Sequence, residues 1–125
     1  MIAEPLSAHV DARGLLFEPL DEAGLAMQRN VHVVLTRPGE VRGNHRHRVA
    51  TEITAVVGPC RVRWKDAAGG LHDLEIPAGQ SWRLRIPPGV AHAYRNDGDV
   101  PMVLVSFSSI PHDPNGGDTE REVIL

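Results

Sequence analysis

Hydrophobic and polar positions in this chain alternate in short runs and do not recur every three or four residues, which is the periodicity of strands. Val31 to Thr36 and Glu52 to Val57 are apolar runs rich in β-branched residues. Cys60 to Lys65 alternates apolar with charged side chains, and Ser81 to Ile86 does the same with Trp82, Leu84 and Ile86 on the inward face. Leu71 to Ile76 follows the turn residues Ala67 to Gly70, while His92 to Asn96 and Met102 to Phe107 are split by the turn Asn96 to Asp99. Only Asp21 to Gln28 carries a helical pattern, and a weak one. Short strands punctuated by turns at this spacing predict an all-β sandwich or barrel. Pro111 to Thr119, rich in Pro, Gly, Asn and Asp, is expected to be a loop ordered by a partner subunit.

Composition narrows the class. A chain of 125 residues with 42% hydrophobic content is expected to form one domain, residues 1–125, with a buried core. Its 12 glycines and 10 prolines suit many turns better than a helical bundle. A net charge of −3 gives no basic footprint for nucleic acid. The single cysteine, Cys60, cannot pair within the chain, which fits a reducing compartment. Met1 to Leu6 lacks a basic start followed by an apolar run, and no apolar stretch approaches membrane-spanning length. A cytoplasmic protein without membrane or nucleic-acid partners is the expectation.

The candidate chemistry lies in two segments, Gly39 to Glu52 and Pro87 to Asn96. On a strand, residues two apart share a face, so His45 and His47 project side by side, roughly 6–7 Å apart along the chain. Glu52 and His92 can complete the shell of a divalent metal from neighbouring strands. Three imidazoles and a carboxylate suit zinc first, with iron, manganese or nickel as alternatives. A lone His-x-His often does no more than hydrogen-bond, but four candidate ligands in two separated motifs are hard to obtain by accident.

These spacings resemble the cupin motifs G-x5-H-x-H-x3,4-E-x6-G and G-x5-P-x-G-x2-H-x3-N. Gly39, His45, His47 and Glu52 fall in register with the first, and Pro87, Gly89, His92 and Asn96 with the second. Gly58 comes one residue early and Gly79 stands two residues too far from Pro87, both at turns. The resemblance implies a single-domain cupin, a jelly-roll barrel. Arg42-Gly-Asn-His45-Arg-His47, Thr51-Glu52, Pro87-Pro-Gly-Val-Ala-His92 and Asp113-Pro-Asn-Gly-Gly-Asp118-Thr119 look like the cupin domain ending the capsular-polysaccharide reductase/epimerases. Asp11 to Glu18 is similar to a segment of sugar-nucleotide 3,5-epimerases and 3,4-ketoisomerases. The first group implies a metal-bearing cupin acting on a UDP-linked keto-deoxy sugar, the second metal-free proton transfer by histidine on a dTDP sugar. Cupins of this size usually pair, so a homodimer is expected.

Removing a proton beside a ketone needs a base within reach and stabilisation of the developing oxyanion. A metal at His45, His47, Glu52 and His92 would polarise the ketone; without one, His45 or His47 would be the base. Tyr94, the only tyrosine, lies two positions from His92 and is the candidate proton donor, with core packing as its other reading. Arginine outnumbers lysine 12 to 1, and Arg42 and Arg95 are candidates for binding a diphosphate, against the alternative of a solvated strand face. Trp64 and Trp82 are expected in the core, and His9, His32, His72 and His112 carry no motif context. Two further classes fit the four-ligand shell equally: another metal-dependent cupin enzyme of dioxygenase type, and a non-catalytic small-molecule binder.

Overall fold

The computed structural model describes residues 1–125 and consists of strands with one short helix. In chain order these are β1 (Ile2–Leu6), β2 (His9–Asp11), β3 (Gly14–Leu16), α1 (Glu22–Ala26), β4 (Asn30–Thr36), β5 (Val41–His47), β6 (Glu52–Val57), β7 (Cys60–Lys65), β8 (Leu71–Ile76), β9 (Ser81–Ile86), β10 (Ala91–Asn96), β11 (Met102–Ser108) and β12 (Thr119–Arg121). Two antiparallel five-stranded sheets, ordered β1-β9-β6-β11-β4 and β12-β5-β10-β7-β8, enclose the core, and β2-β3 is a separate hairpin. This is the all-β architecture that the alternating pattern and the cupin resemblance imply.

The apolar residues of the inward faces meet between the sheets. Val56, Val62, Ile76, Leu84, Ile86, Tyr94, Met102 and Leu104 are buried together, each large aliphatic side chain contributing about 1.5–3 kcal/mol. Leu84 and Ile86 are fully buried as the alternation predicts, and Trp64 and Trp82 pack partly buried against the same cluster. Cys60 lies in it too, where burial pushes its thiol up to about 12 and leaves it inert. The helix is shorter than expected, a five-residue segment whose cap Asp21 accepts from the Gly24 N–H at 2.7 Å.

Three elements escaped the sequence reading. The apolar pattern of β1 is interrupted by Pro5, yet β1 pairs along β9 from Ile2–Arg85 to Leu6–Ser81; proline is tolerated because β1 is an edge strand. The β2-β3 hairpin is too short to show a period. β12 begins where the segment expected to be a loop awaiting a partner subunit, Pro111 to Thr119, ends, and shares only Thr119 with it. Thr119, Glu120 and Arg121 instead pair with His47, Arg46 and His45 of the same chain.

The two glycines that depart from motif spacing contact one another, the Gly79 N–H donating to the Gly58 carbonyl at 3.2 Å. They sit beyond the end of β6 opposite Glu52, so the altered turn leaves the ligand end unaffected. The motif residue Asn96 is structural: its amide donates to the Thr36 and Val100 carbonyls at 2.9 and 2.8 Å.

The local feature that matters most is a bulge in β5. His92 pairs with His45, but Ala93 pairs with Gly43, so Asn44 is an extra residue on β5. Asn44 has φ of 56° and Gly43 of 86°. A Cβ on Gly43 would stand 2.7 Å from the His92 carbonyl oxygen and 3.0 Å from Ala93 Cα, both backbone atoms. Gly43→Ala is therefore expected to destabilise the fold by about 1–3 kcal/mol. A thermal melt checks this: an unchanged midpoint would show that the bulge tolerates a side chain.

Candidate functional site

The bulge determines which side chains share the cavity. Strict alternation along β5 would put Arg42 and His45 on opposite faces, but the extra residue restores Arg42, His45 and His47 to one face. The turn Pro87 to Gly89 fixes the end of that strand, its Gly89 N–H donating to the His47 carbonyl at 2.7 Å. β10 and β6 then bring His92 and Glu52 alongside.

His45, His47, Glu52 and His92 each offer a ligand atom, and these atoms lie within 4.8 Å of one another. The ring centroids of His45 lie 4.9 Å from His47 and 4.8 Å from His92. Glu52 is tethered on several sides: Oε2 is 3.0 Å from His47 Nε2, Oε1 is 3.6 Å from His92 Nε2, and Thr54 Oγ1 donates to Oε1 at 2.7 Å. Thr54 has only one proton to give, so Ser106, 2.7 Å away, donates to it in turn.

Electrostatics divides the three histidines. Burial, followed by the charges of His92 and His47, lowers His45 to about 4, so it is neutral at pH 7. His47 is raised, chiefly by its hydrogen bond to Glu52. Burial alone would raise Glu52, but the His47 hydrogen bond, the nearby His92 ring and the Thr54 hydroxyl outweigh it and hold the carboxyl well below its usual range. His92 Nδ1 lies 3.2 Å from the Val90 carbonyl. A carbonyl only accepts, so the ring proton sits on Nδ1 and the Nε2 lone pair faces the cluster.

The donor set fits a divalent cation. His45 Nε2 and His92 Nε2 are buried without a hydrogen-bond partner, an arrangement costing about 1–3 kcal/mol per group unless something satisfies it. A nitrogen-rich set with one carboxylate is the chemistry of zinc and neighbouring transition metals.

A cavity of about 350 Å³ opens onto the cluster, lined by His32, Arg42, His45, Glu52, His92 and Tyr94 among others. Tyr94 is buried, its ring 5.7 Å from His92 and its hydroxyl without a partner in hydrogen-bonding geometry. Burial and then the Glu52 charge raise it well above 10, so it stays protonated. Arg42 forms no ion pair and reaches only the Leu35 carbonyl, at 3.4 Å. Arg95 is not brought to the site. It is the odd neighbour of Tyr94, faces outward and pairs with Asp97 at 2.5 Å. Arg46 and Arg48 likewise pair outward with Glu120, and Arg61, Arg63 and Arg83 with Glu75, Asp73 and Glu4.

A second, polar cavity of about 330 Å³ flanks the cluster and is lined by His47, Glu52, His112, Asp113 and Asp118 among others. His32 lines both cavities. Sequence reasoning missed His32 because nothing marks it inside the apolar run Val31 to Thr36 except its even register with Val34 and Thr36. It also missed Asp118, whose Oδ2 lies 3.3 Å from His47 Nδ1 across 71 residues of sequence, a proximity without a local signal.

The sequence model of the family described as "Polysaccharide biosynthesis C-terminal domain" matches residues 9–120. The chain belongs to this family. Among solved structures, this polysaccharide biosynthesis C-terminal domain resembles the capsular polysaccharide assembling protein CapF of Staphylococcus aureus, with 27% identity and a TM-score of 0.70 over 96% of this chain and 35% of that one. The domain thus spans about a third of the CapF length. It shares the fold of a dTDP sugar isomerase from Desulfovibrio desulfuricans G20, with 23% identity and a TM-score of 0.75 over 97% of this chain and 83% of that one. It also shares that of the Mycobacterium tuberculosis rmlC epimerase, with 20% identity and a TM-score of 0.72 over 95% and 66% of the two chains. No curated protein matches the domain in a sequence search. The all-β fold is the one these solved structures share.

The raised pKa of His47 has a consequence for stability in the metal-free domain. The folded state holds this proton more tightly than the unfolded chain, so the stabilisation is fully present below about pH 6.5 and is lost as pH rises through the folded value. The stability gap between wild type and His47→Gln, both treated with chelator, is expected to be largest near pH 5.5 and to shrink above neutrality. Thermal melts across pH measure it, and a gap that grows with pH would contradict the Glu52–His47 pairing.

Proposed function

We propose that this domain is a metal-dependent isomerase or epimerase acting on a nucleotide-linked 4-keto-deoxy sugar in polysaccharide biosynthesis. The observation that carries the reading is the half-buried donor cluster, with two unpartnered imidazole nitrogens, opening on a cavity that is also lined by a protonated tyrosine and an unpaired arginine. His45, His47, Glu52 and His92 would hold the ion, zinc first and iron, manganese or nickel as alternatives. When bound, it supplies Lewis acidity toward a carbonyl oxygen. Tyr94, protonated at any physiological pH, donates a proton to the substrate carbon or oxygen. Arg42 offers its guanidinium fork to a diphosphate. Without metal, His45 is a poor base, since its pKa near 4 is far from the working pH; as a ligand it would have no free lone pair. His32, outside the cluster but lining the same cavity, is the imidazole left free to accept a proton. Similar proteins support the substrate class: one solved neighbour is a sugar 3,4-ketoisomerase bound to TDP and another a 4-keto-6-deoxy sugar epimerase.

Purified domain is expected to carry a near-stoichiometric divalent ion, and His47→Ala combined with Glu52→Ala to abolish it. Elemental analysis is the measurement, and metal-free, folded wild type would return the chemistry to histidine alone. In heavy water with UDP- or dTDP-4-keto-6-deoxy sugars, deuterium is expected at the carbon inverted or shifted. Tyr94→Phe should slow that exchange by about 10²–10⁴-fold while substrate still binds. No exchange with any keto sugar, beside tight binding of an unrelated small molecule, would make the domain a binder and not an enzyme.

The domain is also proposed to form a homodimer. Edge strand β4 turns Val31, Val33 and Leu35 outward at 55%, 61% and 61% exposure, an apolar strip beside unpaired backbone groups. Light scattering at micromolar concentration should give twice the chain mass; a monomer mass would reject pairing. No helix is long and apolar enough to cross a membrane.

A further inference from the structure

We propose that Asp118 is a positioning residue for His47, its carboxylate holding the ring proton on Nδ1 so that the Nε2 lone pair is presented to the ion; this rests on the metal-dependent reading above.

Several contacts converge on this one aspartate. Its Oδ2 lies 3.3 Å from His47 Nδ1, an ionic contact just beyond ordinary hydrogen-bond length. Oδ1 accepts from the Val49 N–H at 2.7 Å and Oδ2 from the Ala50 N–H at 3.3 Å, while its own carbonyl accepts from the Arg48 N–H at 2.9 Å. The side chain is only 14% exposed. A surface carboxylate free to rotate would not be held so: Asp118 is fixed against residues 47–50 by both backbone and side chain.

Its neighbours in sequence keep it there. On one side Asp113 closes a turn by accepting from the Asn115 and Gly117 N–H groups at 2.8 and 2.9 Å. On the other, β12 pairs with β5, and Glu120 bridges Arg46 and Arg48 at 2.7 Å each. The tail therefore completes the site and does not merely cover it. His92 is oriented by a backbone carbonyl, but His47 is oriented by a carboxylate, which also strengthens the imidazole as a donor. Glu52, 3.0 Å from Nε2, competes with Asp118 for the ring proton in the metal-free site, and a ring protonated on Nε2 has no lone pair for an ion.

The test compares Asp118→Asn with Glu120→Gln in the full chain. The first keeps an oxygen for the Val49 amide but turns the atom facing His47 from acceptor into donor. The second removes the same charge and loosens β12 without touching a histidine. Zinc affinity, measured by competition with a chromophoric chelator, is expected to fall about 10- to 100-fold in Asp118→Asn and to stay within a few-fold in Glu120→Gln. The ¹⁵N resonances of the metal-free His47 ring should show a larger Nδ1-protonated share in wild type than in Asp118→Asn. Equal losses in both variants would assign Asp118 to anchoring the tail only and overturn the proposal, as would unchanged affinity in Asp118→Asn. A wild type that binds no zinc would sink the metal reading; an identical His47 ring pattern in the two metal-free proteins would then overturn the positioning role as well.

Discussion

The extra residue at Asn44 is the constraint on which the site depends. A strand alternates faces with period two, and one inserted residue shifts the phase of everything beyond it. Here the shift places Arg42 on the same face as His45 and His47, so a cation-binding and an anion-binding group share one cavity. The left-handed backbone at Gly43 and Asn44 permits the insertion, and the near-contact of Gly43 with the His92 carbonyl leaves no room for a side chain. Asn44 also secures the end of the chain: its side chain bonds the Ile124 and Leu125 N–H groups and the Leu125 carbonyl, and its own carbonyl accepts from Glu122. One irregularity thus aims the site and ties down the tail that supplies Asp118.

The cluster is expensive as an isolated protein feature. Glu52 is nearly buried, and its charge survives there only because His47 and the Ser106–Thr54 relay supply hydrogen bonds. His45 and His92 each leave a nitrogen unpaired. Apolar residues in these places would pack against Ile86, Leu104 and Val34 at no such cost. A fold that retains four polar ligands at this depth gives up stability for chemistry, the usual pattern where local rules are broken at a functional site.

Charge on the outer face follows a different logic. Arg46, Arg48, Arg61, Arg63, Lys65 and Arg95 pair with carboxylates across the sheet containing β5, β10 and β7, several of them from the C-terminal tail. Each exposed pair is worth little alone, but those of Arg46, Arg48 and Lys65 with Glu120 and Glu122 together hold the tail beside the strand carrying His45 and His47. The abundance of arginine is thus mostly structural, and Arg42 is the arginine that alternation, corrected by the bulge, places at the cavity.

The alternating pattern alone determined the β class, the strands from Val31 to Phe107 and the inward set of Trp82, Leu84 and Ile86, because burial on one face imposes a period of two. The spacing of His45, His47, Glu52 and His92 likewise announced a shared donor cluster, since ligand separations along strands translate directly into distance. β1, β12 and the contact between Asp118 and His47 were not legible, because edge pairing and links across 71 residues leave no local period. Nor was the separation of Arg42 from Arg95: both are arginines on strands beside a motif histidine, and only the phase shift at Asn44 and the acid at Asp97 put one at the cavity and the other in an ion pair on the opposite face. Tertiary structure decided those matters, because which face a residue occupies depends on the register of its partner strand as well as on its own sequence.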